Sequence, residues 1–412
     1  MRNAIILRDV SYIDVVSGKE VNNTNLIIEN GVIQKICKEP FEFGNKSYET
    51  IDCSGKIAVP GLFECHAHLC SLHNVAMKED VLKDFVKKGI TQVRDVGGPF
   101  KIMKEMKDSI TKGKIVGPEI FYSGPILQGG KLSWQVINES FPGFTVSINS
   151  REDVNSILND LYNNGASLVK TFSTFDKDVL KYLNLQAKKR HLKIAHDVGG
   201  LIFNSIPVEL GLDLGIDCFE HGKAAYSSVL KDNLKKEHDS LMIKRTPKQG
   251  QKLFKKLLSL GEASISKEKL KNLSEKMIRN NAYLCPTLMW NESNKNSENE
   301  EKKKMITELT AITHYLTKKM IAHGVKMLVG IDSRTATTLK EMTLLHNLGL
   351  SNLEILRGAT IYPAEWLQIS DKYGSIDVNK KASLLVLNRS PLDNINNIED
   401  TAFVLKEGEI IV

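Results

Sequence analysis

The stretch GLFECHAHL, residues 61–69, decides the fold, because an apolar run typical of a β-strand ends there in two histidines, His66 and His68. Successive side chains of a strand point to opposite faces, so both imidazoles leave the same face and can converge on one metal ion. Histidines are also buried for structural reasons, and the pair alone does not distinguish the two interpretations. The remainder of the chain has to decide between them.

Four more metal-competent side chains lie at or near the ends of separate apolar runs. They are Lys170 in SLVKTFS, His196 in LKIAHD, His221 in IDCFEHG and Asp332 in KMLVGIDS. Six candidate ligands on five such runs favour a metal centre over chance burial.

Strand-like runs alternate with helical ones between residues 56 and 369, which is the pattern of βα units and a parallel sheet. The eight strand candidates are GLFECHAHL, TQVRDVG, EIFYSGP, SLVKTFS, LKIAHD, IDCFEHG, AYLCPTL and KMLVGIDS. Eight parallel strands close a (β/α)₈ barrel, whose active site lies at the C-terminal ends of the strands. The candidate ligands occupy these ends on the first, fourth, fifth, sixth and eighth runs. We therefore predict an α/β fold built on a (β/α)₈ TIM barrel.

The two ends of the chain share a different pattern. Residues 1–55 and 370–412 alternate short β-rich runs with turns, and Asn30-Gly31 and Glu407-Gly408 are hairpin signals. Neither segment is large enough to close a core alone. We expect them to pack together as one small β-sandwich domain beside a barrel domain of residues 56–369.

One connection of the predicted barrel is unusually long. Residues 223–280 separate the sixth and seventh strand candidates, and the seventh is followed by the charge-rich tract NESNKNSENEEKKK. Both segments leave from the face that carries the site. We interpret them as a helical lid and a flexible flap over the substrate, with a surface insertion that has no role in function as the alternative.

Composition narrows the classes of partner. The 412 residues carry a formal net charge of +7, which comes from lysines spread along the chain and not from one basic block. We therefore expect a small-molecule substrate and no nucleic-acid partner. No apolar stretch approaches the roughly 18 residues that span a bilayer, so we expect no membrane partner. The sequence leaves a homo-oligomer open.

Six cysteines without Cys-x-x-Cys spacing favour reduced thiols and a cytoplasmic location. The first apolar run is also shorter than the apolar region of a signal peptide. Cys65 and Cys70 flank the histidine pair, and we interpret them as small buried side chains more readily than as thiolate ligands.

Together these motifs resemble the amidohydrolase superfamily, in the branch of imidazolonepropionase-like proteins and metal-dependent Xaa-Pro dipeptidases. The resemblance covers essentially the whole chain. It includes TQVRDVGG, GPEIFYSGPIL, IDCFEHG, VGIDS and the tail LRGATIYPAEWLQISDKYGSIDVNKKASLLVL.

The resemblance implies a binuclear metal centre. His66 and His68 would hold one divalent ion with Asp332, and His196 and His221 would hold the second. Lys170 stands where binuclear members carry a lysine carboxylated by carbon dioxide, whose carbamate bridges the ions, because an ordinary ammonium would repel both. Such oxygen and nitrogen ligands suit zinc, with manganese or iron as alternatives.

The resemblance also implies the roles of two catalytic residues. A hydroxide held between the ions would attack an amide carbonyl that is polarised by the ion bound to His221. Asp332 would take the proton of this hydroxide and pass it to the departing nitrogen.

Departures from the family pattern bear on the substrate. Relatives often have Gly-Gly-His where this chain has Gly129-Gly130-Lys131, and often a second histidine where it has Asp197-Val198. Arg334 is our first candidate for pairing with a substrate carboxylate, against a salt bridge to a neighbouring loop. Lys131 and Lys223 are alternatives for the same role. His73 lies in the loop after the first strand candidate. It either contacts substrate, or supports a metal ligand from behind or points to solvent.

We therefore predict a binuclear metal-dependent hydrolase of an amide or peptide bond in a small molecule, with dipeptides or N-acyl amino acids as first substrates. The alternative activity is hydrolysis of a cyclic amide or deamination of a ring. A non-catalytic scaffold is the third interpretation, although the ligands of such proteins typically decay and all six are present here.

Overall fold

Strands from both ends of the chain form one eight-stranded sheet in the computed structural model. The structure describes residues 4–38, 48–70, 79–130, 138–139, 142–199, 205–244, 247–295, 298–333 and 337–411. The sheet consists of β1 (Ile5–Asp14), β2 (Lys19–Glu29), β3 (Val32–Cys37), β4 (Glu49–Asp52), β5 (Ile57–Pro60), β16 (Leu384–Leu387), β17 (Thr401–Lys406) and β18 (Glu409–Ile410). Its order is β18-β17-β16-β5-β1-β2-β3, and β4 pairs with β1.

Both predicted hairpin turns are confirmed. Asn30 and Gly31 join β2 to β3 with φ values of 52° and 77°, and Glu407 and Gly408 join β17 to β18 with φ values of 47° and 79°. Two successive residues with positive φ match the right-handed twist of the flanking strands, and Gly adopts this conformation without a steric penalty.

The terminal sheet has a hydrophobic core of its own. Leu7 and Leu26 from the N-terminal strands pack there with Leu384 and Leu405 from the C-terminal ones. β5 belongs to this sheet because it pairs with both β1 and β16, although the prediction began the barrel domain at residue 56. Burial of apolar surface thus joins the two chain ends.

Parallel strands occupy the middle of the chain in two sheets. The first contains β6 (Leu62–Ala67), β7 (Ile90–Asp95) and β8 (Glu119–Tyr122). The second has the order β10-β9-β11-β12-β13-β14-β15. Its strands are β9 (Ile126–Gln128), β10 (Thr145–Ser147), β11 (Val169–Phe172), β12 (Ile194–Asp197), β13 (Cys218–Glu220), β14 (Tyr283–Cys285) and β15 (Lys326–Met327).

Each of the eight predicted strand runs contains an observed strand, which confirms the mixed α/β class with parallel strands. The third run ends early, because Gly124 has a φ of 69° and Pro125 has no N–H to donate to a ladder. The chain then resumes in β9, which pairs with β11 and not with β7.

Backbone hydrogen bonds join the two parallel sheets at both of their adjoining sides. On one side Cys65 N–H donates to Val329 C=O over 2.9 Å, and Asp332 N–H donates to His66 C=O over 3.0 Å. On the other side Ser167 N–H donates to Tyr122 C=O over 2.9 Å. The first and last predicted strands are therefore neighbours in space.

Helices connect the parallel strands. In the described residues these are α1 (Glu79–Lys87), α2 (Phe100–Thr111), α3 (Arg151–Asn163), α4 (Lys177–Lys188), α5 (Val208–Asp213), α6 (Asp232–Lys244), α7 (Pro247–Leu260), α8 (Lys267–Arg279), α9 (Leu288–Asn294), α10 (Glu300–Ala322), α11 (Thr338–Asn347), α12 (Asn352–Gly358) and α13 (Ile361–Trp366). Ser150 begins α3 with a capping box, in which its hydroxyl and the Asp153 carboxylate satisfy each other's free N–H groups.

The long insertion is helical, as predicted. A 3₁₀ segment, Gly222–Ser228, begins directly after His221 and is followed by α6 and α7, and α10 packs against this segment and α7. The charge-rich tract after the seventh strand falls within α9 and α10 except for residues 295–299, of which 296 and 297 lie outside the described residues.

No helix in the described part of the chain is long and apolar enough to cross a bilayer.

Candidate metal centre

Three of the predicted ligands meet where β6 ends beside the segment that follows β15. One donor atom each of His66, His68 and Asp332 lies within 4.8 Å of the other two. Asp332 Oδ1 is 3.9 Å from His66 Nε2 and 3.7 Å from His68 Nε2. Asp332 has a φ of 43°, a left-handed conformation that aspartate tolerates better than most residues. The predicted convergence of His66 and His68 is therefore present in the structure.

A buried ion pair fixes the orientation of the His66 ring. Its Nδ1 lies 2.6 Å from Glu220 Oε2, while Arg94 donates to Glu220 Oε1 over 2.7 Å, and all three side chains are buried. Burial would raise the pKa of the Glu220 carboxyl, but Arg94 and Lys170 hold this pKa well below its usual range. An ionised Glu220 accepts the Nδ1 proton, which leaves the lone pair of His66 on Nε2, toward Asp332.

Burial lowers the pKa of His66 to about 4, and the nearby Lys170 charge lowers it further. Burial lowers the pKa of His68 as well. Neutral imidazoles are the form that binds a metal ion, so both rings are ready to act as ligands at neutral pH.

A second buried carboxylate ties β6 to the segment after β15. Glu64 Oε1 accepts the N–H groups of His66 over 2.8 Å and Ile331 over 2.9 Å, and its Oε2 accepts the Thr338 hydroxyl. Burial raises the pKa of Glu64 to about 7 despite these hydrogen bonds. Glu64 thus fixes the spacing between His66 and Asp332.

Lys170 is buried beside this cluster at the end of β11. Only 2% of the residue is exposed, and its Nζ makes no hydrogen bond to the described residues. The nearest anionic oxygen is Asp197 Oδ2, at 3.9 Å. A buried amine without a hydrogen bond is costly, whereas a carbamate on this nitrogen would supply oxygen ligands in the same place. The surroundings of Lys170 therefore fit the predicted carboxylation.

His221 lies next to His66 in the same cluster. Its ring centroid is 5.0 Å from that of His66, and its Nε2 is 3.0 Å from Asp197 Oδ2. Its Nδ1 lies 2.7 Å from the Thr287 hydroxyl. The φ of 70° at His221 turns the chain out of β13 and into the 3₁₀ segment.

His196 is the one predicted ligand that the structure does not bring to the cluster. Its Nδ1 is 2.8 Å from the Thr171 hydroxyl and its Nε2 is 3.0 Å from Ile206 C=O, so both ring nitrogens are engaged elsewhere. The register explains this placement, because Ala195 pairs with Lys170 while His196 pairs with Thr171. His196 therefore shares the face of Thr171, opposite to that of Lys170.

Of the predicted substrate contacts, only Lys223 lies in the described residues. Its Nζ is 5.0 Å from the centre of the Trp290 ring, in a small cavity that His221 and Thr287 also line. His73, Lys131 and Arg334 lie outside the described residues.

Sequence reasoning gave no role to four charged side chains that build the site: Glu64, Arg94, Asp197 and Glu220. All of them lie inside the predicted strand runs, and all are buried. A charged residue in a buried strand needs a partner, so this pattern was the signal that could have indicated them.

Comparisons with known proteins agree with this architecture. A family model described as "Amidohydrolase family" matches residues 265–411. A Xaa-Pro dipeptidase crystallised with methionine in its active site superposes with a TM-score of 0.74 at 19% identity, over 99% of both chains. A putative prolidase from Bifidobacterium longum superposes with a TM-score of 0.71 at 19% identity, over 100% of this chain and 95% of its own.

A molinate hydrolase superposes with a TM-score of 0.75 at 17% identity, over 99% of this chain and 94% of its own. No curated protein sequence matches the chain. The family model thus matches the C-terminal part of the chain, and the superpositions show that the chain shares its fold with these hydrolases over its whole length.

Proposed function

We propose that this protein is a binuclear metal-dependent amidohydrolase that cleaves an amide or peptide bond of a small molecule. One observation carries the proposal: the donor atoms of His66, His68 and Asp332 lie within 4.8 Å of one another, beside the buried Lys170 amine and the His221 ring. A non-catalytic scaffold would have no need to hold these groups together.

The proposed first site contains His66, His68 and Asp332, and the proposed second site contains His221. Zinc is the ion we propose for both, and such ions, when bound, supply a Lewis acid and lower the pKa of a water to about 7. Glu220 and Glu64 keep the first-site ligands in place through the hydrogen bonds described above. Thr287 keeps the His221 Nδ1 occupied, which leaves Nε2 for the second site.

We propose that Lys170 carries a carbamate between the two sites. The Lys170 ammonium first loses one proton. The Nζ lone pair then attacks the carbon of carbon dioxide, a C–N bond forms as one C=O π bond breaks, and a second proton leaves the nitrogen. The product exchanges the positive charge of an ammonium for a negative one. Its oxygens would then serve as ligands for the ions held by His66 and His221.

Asp332 is the proposed general base and acid. Its carboxylate contacts both histidines of the first site, and its Oδ2 is 4.0 Å from His221 Nδ1. From there it can hold a proton taken from the attacking water and release it to the departing nitrogen, so that no charged amide anion has to leave.

The proposed substrates are dipeptides and N-acyl amino acids. Support comes from proteins of similar structure, which include a Xaa-Pro dipeptidase, a molinate hydrolase and an ochratoxinase. Lys223, Arg334 and Lys131 are proposed to bind a substrate carboxylate, and His73 is proposed to contact substrate.

We further propose that the two parallel sheets form one closed (β/α)₈ barrel and that the terminal sheet is a β-sandwich domain. Support for closure comes from the backbone hydrogen bonds at both joins. The predicted domain limits, 1–55 with 370–412 and 56–369, remain part of this proposal, except that β5 belongs to the terminal sheet. A cytoplasmic location is proposed because the buried thiols of Cys53, Cys65, Cys218 and Cys285 take part in no disulfide.

The test is reconstitution of metal-free protein with zinc and bicarbonate, followed by metal analysis and a screen for release of amine or acid. The panel contains dipeptides, N-acyl amino acids and cyclic amides. We expect two zinc ions per chain and turnover of an acyclic amide. Turnover of cyclic amides alone would favour the ring-opening alternative. A protein that binds no stoichiometric metal would overturn the proposal.

A further inference from the structure

We propose that Asp197, and not His196, supplies the remaining protein ligand of the second metal site. The inference rests on the proposed binuclear function. It assigns one metal ligand that differs from the residue expected from the family pattern. The second site would then contain His221, Asp197 and the Lys170 carbamate.

The position of the Asp197 carboxylate supports the assignment. Its Oδ2 is 3.0 Å from His221 Nε2 and 3.9 Å from Lys170 Nζ. Two ligand atoms on one tetrahedral zinc ion lie about 3.3 Å apart, since each bond is about 2.0–2.1 Å long. The 3.0 Å between Asp197 Oδ2 and His221 Nε2 is close to that separation, and the nitrogen that would carry the carbamate lies 3.9 Å from the same oxygen.

The rest of the carboxylate is held in place. Asp197 is only 5% exposed, and its Oδ1 accepts the N–H of Gly199 over 2.8 Å. Oδ2 is therefore the oxygen that remains toward His221 and Lys170. A backbone hydrogen bond on the other oxygen is the kind of support that orients a metal-binding carboxylate.

The register of β12 prevents His196 from taking the place of Asp197 at the site. All four residues of β12, Ile194–Asp197, are buried, and they pair with β11 on one side and β13 on the other. Bringing His196 to the site would require β12 to slip by one residue, which turns every side chain to the opposite face. The same slip would break the bonds of His196 to Thr171 and Ile206.

The assignment changes the chemistry of the site. With Asp197 the protein ligands of the second ion would be one imidazole, one carboxylate and the carbamate. With His196 they would be two imidazoles and the carbamate. Oxygen-rich sites suit harder ions such as Mn²⁺, and imidazole suits Zn²⁺. We therefore expect the second site to exchange zinc for manganese more readily than the first site, which holds two histidines.

The experiment compares D197N and H196Q in the full chain, each made metal-free and then loaded with zinc and bicarbonate. The readout is the number of zinc ions per chain by elemental analysis, which does not depend on activity. We expect two ions in the wild type, one in D197N and two in H196Q. A second readout is the visible spectrum after cobalt substitution, in which D197N should lack the absorption of one of the two ions.

A third variant protects the test against misfolding. D197H places an imidazole on the face of β12 that points to the site, and we expect it to restore the second ion that D197N loses. Thermal unfolding of all variants without metal checks that each chain is folded.

Three outcomes have distinct meanings. Loss of an ion in H196Q, or retention of two ions in D197N, overturns the assignment of Asp197 and leaves the binuclear function standing. A wild type that holds fewer than two ions overturns the binuclear function itself.

Discussion

Single buried residues decide how the first metal site is presented. The Glu220 carboxylate lies between two partners, Arg94 and His66, and none of the three side chains is more than 1% exposed. The ionised carboxylate selects the Nδ1–H form of His66. The first metal site therefore depends on the charge of Glu220 as well as on the His66 ring that would bind the ion.

We expect Glu220→Gln to weaken zinc binding at the first site by about 10- to 100-fold. A neutral amide is a poorer acceptor for the Nδ1 proton, and the substitution leaves the buried Arg94 without its counter-charge. The measurement is competition for zinc against a chelator of known affinity. Asp217→Asn is the matched control, because Asp217 precedes the same strand and pairs with Lys193 outside the site. Equal zinc affinity in both variants would remove Glu220 from the role assigned to it.

We expect Asp332→Asn to retain metal yet lower kcat by about 100- to 10,000-fold, the usual contribution of a general acid or base. The amide keeps an oxygen toward His66 and His68 but has no basic carboxylate to take a proton. The measurement is kcat on the amide that the wild type hydrolyses fastest, with zinc content determined on the same sample. Near-normal turnover at full zinc content would exclude Asp332 as the proton carrier.

At the scale of elements, close approach of two strands brings the ligands together. Gly330, in the segment after β15, allows this approach: a Cβ there would lie 2.7 Å from His66 N and 2.7 Å from Cys285 Sγ. The contact with His66 involves a backbone nitrogen, so it cannot be relieved by the movement of a flexible side chain.

We therefore expect Gly330→Ala to separate β6 from the segment that holds Asp332, and so to lower both zinc affinity and the unfolding temperature. Gly55→Ala is the control. A Cβ at Gly55 meets nothing within 4 Å, but its φ of 72° makes alanine strained there. The control should lower the unfolding temperature and leave zinc affinity unchanged. Loss of zinc affinity in the control as well would mean that general destabilisation accounts for both results.

Elements also show where sequence reasoning reached its limit. The eight strands and the two hairpin turns were predictable, since period, turn residues and spacing are local properties. His66 and His68 were predictable as a pair because their relative direction follows from their spacing. His196 was different: every residue of Ile194–Asp197 is buried, so no polar face reveals which side chains point to the site. The inward face of β12 is set by its pairing with β11 and β13, which the sequence of β12 does not contain.

At the scale of the whole molecule, burial of titratable groups sets the response of stability to pH. Burial lowers the pKa of His66 and His196 to about 4, so the folded protein binds fewer protons than the unfolded chain between about pH 4 and 6.5. This contribution to stability is complete above pH 6.5 and is lost as the pH falls toward 4.

Burial raises the pKa of Glu64 to about 7 and that of Glu341 to about 8. These carboxyls act oppositely, since their contribution is lost as the pH rises through their folded pKa.

Because these contributions oppose each other, the pH dependence of the wild type alone does not isolate any one group, but a comparison of variants does. Moving one histidine from 6.5 to about 4 corresponds to a free-energy difference on the order of 3 kcal/mol. We therefore expect metal-free wild type to lose about this much more unfolding free energy than His196→Gln between pH 7 and pH 4. Urea unfolding with a chelator present measures it at both pH values. His346→Gln, at an exposed position of α11, is the control and should follow the wild type. If His196→Gln instead lost as much stability as the wild type over this range, His196 would be protonated without cost, and its burial between Thr171 and Ile206 would be contradicted.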